Sequence, residues 1–173
     1  MNCEPNYNDL RTLVLDIDGV LTDGRVGYNG TGDEIKFFHV RDGHGIKLLQ
    51  RAGWSVGAIS GRRAEANRRR AEELGFDFLY EGEKNKLEAF ERLLADRGVT
   101  AKECVCIGDD VVDIPLLRRA GFAATVADAP GYLDEVVHLR TRLPGGHGAV
   151  RELIDFLLQK QGRWDKIMER YSV

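Results

Sequence analysis

Three cysteines are all the chain contains, and the number is odd. Cys104 and Cys106 sit in an apolar run that reads as a buried strand, so a disulfide framework is excluded as the scaffold. They could form half of a metal site, but no second Cys/His cluster follows at ligand spacing, and buried thiols are the better reading. Also missing is any apolar run near the ~18 residues that a membrane-spanning helix needs. The opening MNCEPNYNDLR has no apolar segment of the signal-peptide kind, so the expectation is a cytoplasmic chain without a membrane partner. Nor is there a surplus of positive charge: 25 Lys and Arg face 28 Asp and Glu, a formal net charge of −3, which gives no pull towards nucleic acid. Any anion site must therefore be local. Internal repeats and low-complexity tracts are absent. What remains is 173 residues at 43% hydrophobic content, enough for one well-buried domain and too short for two ordinary ones, so residues 1–173 are read as one domain.

The stretch that organises the chain is LVLDIDGVLTDG, residues 13–24. Leu13, Val14 and Leu15 read as a strand buried on both faces, of the kind found in parallel sheets. Side chains alternate along a strand, so Asp16 and Asp18 leave its end on the same side. Two adjacent carboxylates repel unless a cation lies between them or they divide acid and base roles. A calcium loop of the EF-hand type fits poorly, because its third ligand position falls on Val20. Residues 25–40 then read as an inserted β-hairpin turning at Asn29-Gly30-Thr31-Gly32. Adjacent Phe37 and Phe38 point to opposite faces, so either one of them is exposed and marks a subunit contact or the hairpin folds back on its own domain; the sequence alone favours neither.

Further along, Asp42 can cap a helix that stops at Gly53. Gly43-His44-Gly45 lacks the third glycine of a dinucleotide loop and is discounted. A second buried strand, 54–59, ends in Ser60-Gly61-Arg62, and the helix after it is read as starting at about Arg62. A hydroxyl and a glycine before a helix make a phosphate cradle from backbone N–H groups and the helix dipole. Lys86 begins the next helix, where its charge opposes the dipole and so implies another task. Strand 104–107 ends in Gly108-Asp109-Asp110-Val111-Val112-Asp113, and Asp113 can cap the helix after it. Residues 122–126 and 136–139 read as further strands. A C-terminal tail, about 162–173, is polar and helix-prone. Alternating strands and helices give an α/β fold with a doubly wound, Rossmann-like parallel sheet.

DIDGVLTDG, Ser60-Gly61, Asn85-Lys86-Leu87 and Gly108-Asp109-Asp110 resemble, in order, the four motifs of the haloacid dehalogenase superfamily of phosphatases. The resemblance covers nearly the whole chain and implies a sheet of that superfamily's type, with the small hairpin but no large cap domain. It further implies that Asp16 is the nucleophile and Asp18 the acid and base. Ser60, Gly61 and Lys86 would hold the phosphoryl group, and Mg²⁺ would lie on Asp16, the Asp18 carbonyl and Asp109. Asp110 and Asp113 would stand behind the metal and orient Lys86. Within the superfamily, His39 to Ile46 and Gly145 to Glu152 look most like cap-less, tetrameric phosphatases of an eight-carbon sugar acid in lipopolysaccharide precursor synthesis. That likeness implies a small sugar-acid phosphate substrate, contacts from Thr22, Arg41 and Arg62, and a homotetramer. Arg62 is the expected partner of the acid's carboxylate, for which a guanidinium fork is suited. His39 stands where Asn is usual and His147 where Arg is usual. Two rivals share much of this pattern: phosphatases of nine-carbon sialic-type acid 9-phosphates, and receiver-type signalling domains, in which the phosphorylated Asp stands alone on a later strand.

Overall fold

The computed structural model describes residues 5–172. Six parallel strands form the main sheet: β1 (Thr12–Leu15), β4 (Ser55–Ser60), β5 (Phe78–Glu81), β6 (Cys104–Gly108), β7 (Phe122–Thr125) and β8 (Leu139–Arg140), in the order β5-β4-β1-β6-β7-β8. The short β2 (Gly27–Tyr28) and β3 (Glu34–Ile35) pair antiparallel as a separate hairpin. Helices α1 (Val40–Arg51), α2 (Glu65–Leu74), α3 (Lys86–Arg97), α4 (Ile114–Arg119), α5 (Ala149–Lys160) and α6 (Trp164–Met168) accompany the strands, with five short 3-10 turns among the described residues.

The period of two along the strands divides the core. Leu13 and Leu15 pack with Ile46 and Leu49 of α1 and Leu153 and Leu157 of α5, whereas Val14 faces Phe90 of α3 and Leu117 of α4. Cys104 and Cys106 lie with Val14 as buried free thiols, and Cys3 falls outside the described residues. Central strands covered on both sides have no use for polar alternation, which is why β1 reads as a continuous apolar run.

From β1 the chain winds outwards through β4 and β5, then returns to β6 on the other side. The strand order therefore reverses at β1, and the crevice beyond the carboxyl ends of β1 and β6 is where such sheets bind ligands. Leu15 lies opposite Ile107 and Ala58, so Asp16, Asp109 and Ser60 all emerge at that edge.

Three local expectations are corrected. Asp42 does not cap its own helix; its buried carboxylate accepts from Gly148 N at 3.3 Å and Arg151 N at 2.7 Å and so caps α5. Helix α2 begins at Glu65, three residues after Arg62, because the Glu81 carboxylate reaches across from β5 to accept from Ala64 N. Asp113 makes no side-chain cap on α4, since its carboxylate is turned inwards. The tail forms α6 and a following turn, with Trp164 and Ile167 against the α1/α5 core and the Tyr171 hydroxyl accepting from Arg51 at 2.9 Å.

Candidate active site

The loop after β1 is folded around one carbonyl. Ile17 O accepts from Leu21 N and Thr22 N, both at 3.0 Å, and from the Thr22 hydroxyl at 3.2 Å. The same hydroxyl accepts from Gly19 N and Gly24 N at 3.3 Å. Thr22 is 1% exposed and fully engaged, so it braces the loop; the expected substrate contact is corrected on that ground. Gly19, at φ +93°, has no room for a Cβ because the Asp109 carboxylate occupies that space. Gly145 presses on Gly19 O in the same way, and Gly146 N donates to Val20 O at 2.9 Å. The Gly145-Gly146 segment is thus a brace for the loop that carries the acidic pair.

Carboxylate oxygens of Asp16, Asp109 and Asp113 lie within 4.8 Å of one another. Lys86 Nζ donates to Asp16 at 2.7 Å and to Asp113 at 2.6 Å, and its side chain is 4% exposed. The other Asp113 oxygen accepts from Asp109 N at 3.1 Å and Asp110 N at 3.3 Å, which shapes the loop after β6. Asn85 caps α3 by accepting from Glu88 N, which fixes the turn that delivers Lys86. Burial works against the Lys86 charge, but Asp16 and Asp113 outweigh it and hold its pKa above the ordinary lysine value. Burial pushes Asp16 up to about 8, Lys86 opposing and Asp113 adding to the rise. Burial and the Asp113 charge likewise raise Asp109 to about 6. Three carboxylates around one ammonium carry a surplus of negative charge, and all the donors are hard oxygens. This donor set fits a small divalent cation of the Mg²⁺ type, with Asp113 already occupied by N–H donors and Asp16 and Asp109 left to ligate.

Asp18 stands apart from that cluster, and Lys36 Nζ lies 2.5 Å from its Oδ1. Lys36 was not singled out in the sequence. Its signal was slight: a lysine between Ile35 and Phe37 in extended backbone, sharing a face with Glu34 and Phe38. Ser60 is fully buried at the end of β4, with its hydroxyl donating to Arg62 O and accepting from Arg62 N, each at 3.2 Å. Gly61 follows, exposed. Arg62 is half exposed and pairs with Glu34 of the hairpin at 3.0 Å. Asp110 is exposed at the rim, accepting from the Tyr132 hydroxyl at 2.5 Å. Arg41 is not gathered with the carboxylates; it lines a groove of about 1090 Å³ between α1 and α5, with His147, Arg142 and Arg151.

An acidic pair ending the central strand, a buried lysine and a second acidic loop across the switch point fit an α/β enzyme of the hydrolase class. The chain belongs to the haloacid dehalogenase-like hydrolases, whose family profile matches residues 39–121, and it is a phosphoric monoester hydrolase. It is 43% identical over 160 residues to the 3-deoxy-D-manno-octulosonate 8-phosphate phosphatase KdsC of Haemophilus influenzae, covering 92% of this chain and 89% of that one. Identity to the KdsC of Escherichia coli K12 is 40% over 158 residues, or 91% and 84% of the two chains. The crystal structure of the Moraxella catarrhalis phosphatase of the same name, in complex with magnesium ion, phosphate ion and KDO, superimposes with a TM-score of 0.92. Its identity is 34%, with coverage of 96% and 95%. Among the described residues no helix is long and apolar enough to cross a membrane.

Proposed function

We propose that the protein hydrolyses 3-deoxy-D-manno-octulosonate 8-phosphate to the free sugar acid and phosphate, in lipopolysaccharide precursor synthesis, with residues 1–173 forming one catalytic domain. The observation that carries this reading is the buried Asp16–Lys86–Asp113 cluster in a chain that is 43% identical to a KdsC over 92% of its length. A Mg²⁺ ion on Asp16, Asp109 and the Asp18 carbonyl supplies the charge that offsets repulsion between a carboxylate and a phosphate dianion. Asp16 attacks phosphorus, the phosphorus–sugar oxygen bond breaks, and Asp18 gives its proton to the leaving oxygen. Asp18 then takes a proton from the water that attacks the phosphoaspartate, which releases phosphate and restores Asp16. Ser60, the Gly61 N–H and Lys86 hold the phosphoryl oxygens, and Asp113 keeps Lys86 in place. Asp110 orients the rim, and Arg41 and Arg62 contact the sugar acid. Turnover with Mg²⁺ against a panel of eight-carbon and nine-carbon sugar-acid phosphates and simple sugar phosphates tests the assignment. A preference for the nine-carbon 9-phosphate would transfer the substrate to that rival. Catalytic turnover of any ester excludes the receiver-type switch.

Protons compete with the metal at Asp16 and Asp109. Because these titrate at about 8 and about 6 in the metal-free protein, Mg²⁺ affinity is expected to fall from pH 8 to pH 6. The fall is on the order of 10–100-fold, measurable by calorimetry. Stability of the metal-free protein moves the other way. The contribution of protonated Asp16 is complete below its unfolded value of 3.8 and is lost as pH rises through about 8, where Mg²⁺ should raise Tm most.

We also propose a homotetramer assembled through the hairpin. Phe38 packs on the core and stacks under Arg70, whereas Phe37 is 77% exposed, beside exposed Tyr28, Ile35 and Val40. Together they make an apolar surface that one chain cannot cover. Light scattering at micromolar concentration should give four chains, and Phe37→Glu should shift the population to smaller species. A fully active wild-type monomer refutes the assembly.

A further inference from the structure

The two buried lysines of the site divide it. Lys86 serves the phosphoryl side, through Asp16 and Asp113. Lys36 reaches in from the hairpin to the other side, where Asp18 faces the leaving group. Its side chain is 1% exposed, with Nζ 2.5 Å from Asp18 Oδ1 and 3.5 Å from Glu34 Oε2. Glu34 Oε2 is buried and accepts no hydrogen bond, while Oε1 takes Arg62 at 3.0 Å. An ammonium removed from water needs a counter-charge, and Asp18 is the partner that satisfies this one. Yet Asp18 must also be free to work on the leaving oxygen. Glu34 makes no hydrogen bond to Lys36 at 3.5 Å, so another carboxylate that took Lys36 would meet both demands.

We infer that Lys36, and not Arg62, whose guanidinium is already paired with Glu34 at 3.0 Å, is the specificity-determining residue that exchanges the Asp18 carboxylate for the carboxylate of the incoming sugar acid. The inference rests on the sugar-acid phosphate reading above. A substrate with its own carboxylate replaces one ion pair by another, so the buried ammonium stays paired and Asp18 is released beside the leaving oxygen. A neutral sugar phosphate offers no exchange, and Asp18 stays tied to Lys36. Selection then comes from the hairpin and not from the phosphate-binding core, which sees the same group in every ester.

The test uses the full-length enzyme with Mg²⁺ and the ratio of kcat/KM for the eight-carbon sugar-acid phosphate to that for a pentose 5-phosphate. Lys36→Met, which keeps the apolar stem, is expected to lower this ratio by at least about 10-fold, the scale of a lost charge-assisted hydrogen bond. Lys36→Arg keeps the charge and should recover most of it. The double variant Glu34→Gln/Lys36→Met removes an anion with the cation, so it guards against misfolding, and its ratio should fall as far. Parallel loss on both esters would show a structural or phosphate-side role and overturn the inference. A wild-type preference that persists in both Met variants overturns it while leaving the substrate reading intact. A wild-type ratio near one defeats the substrate reading, and the inference with it.

Discussion

Asp16→Asn should reduce turnover by at least about 10³-fold, the order expected when a covalent nucleophile is removed. The substitution leaves volume and shape nearly unchanged, but a carboxamide neither attacks phosphorus nor carries the charge that draws the metal. Folding should survive. Asp16 is only 6% exposed, yet its partner Lys86 keeps the Asp113 carboxylate at 2.6 Å, so no lysine is stranded. Burial and the neighbouring Asp113 disfavour ionised Asp16, so neutralising it removes repulsion from the metal-free protein. Its Tm at pH 8 without Mg²⁺ is therefore expected to equal or exceed that of the wild type. Acid quenching during turnover should recover phosphoenzyme from the wild type and none from the variant. Substantial residual activity, or label elsewhere on the variant, would defeat the covalent route.

The parts of the site legible in the sequence are those set by a strand end. Asp16, Ser60 and Asp109 follow apolar runs whose burial on both faces fixes where they stop, and parallel pairing brings those ends to one edge. Lys86 was legible for a related reason, as a cation at a helix start where the dipole gives it no support. The chemistry of the leaving-group side was less so. Lys36 acquires its meaning only when the hairpin folds over Asp18, and no spacing in EIKFFHV states that distance. Asp42 reads from the sequence as a cap of its own helix, and Glu81 does not read as a cap at all, because each serves a helix other than the one it adjoins. Thr22 shows the opposite case. A hydroxyl beside an acidic pair invites a substrate role, but the turn consumes every one of its bonds. The common cause is that local pattern records which residues need a partner, whereas the partner is chosen by tertiary packing.

Asp18→Asn should lower turnover of the sugar-acid phosphate by about 10²–10⁴-fold, the range for a positioned acid and base, and Mg²⁺ affinity should change little. The separation follows from the geometry. The Asp18 side chain lies outside the cluster formed by Asp16, Asp109 and Asp113, and the substitution does not touch its backbone carbonyl. The two half-reactions then respond differently to the leaving group. A sugar alkoxide is a poor leaving group and needs the proton from Asp18, so the phosphoaspartate itself should fail to form from the natural ester. An aryl phosphate expels a stable phenolate without help, so the first step proceeds and only the attack of water is impaired. A stoichiometric burst of phenol followed by a slow steady rate is thus expected with the aryl ester, and no burst with the sugar ester. The Lys36 ammonium, which faces Asp18 at 2.5 Å, keeps only Glu34, at 3.5 Å, as an anionic neighbour in this variant. Free sugar acid should then bind at least as well as to the wild type, because its carboxylate no longer competes with Asp18 for that charge. A collapse of Mg²⁺ affinity would place the Asp18 side chain on the metal, and bursts of equal size with both esters would remove it from the protonation of the leaving oxygen.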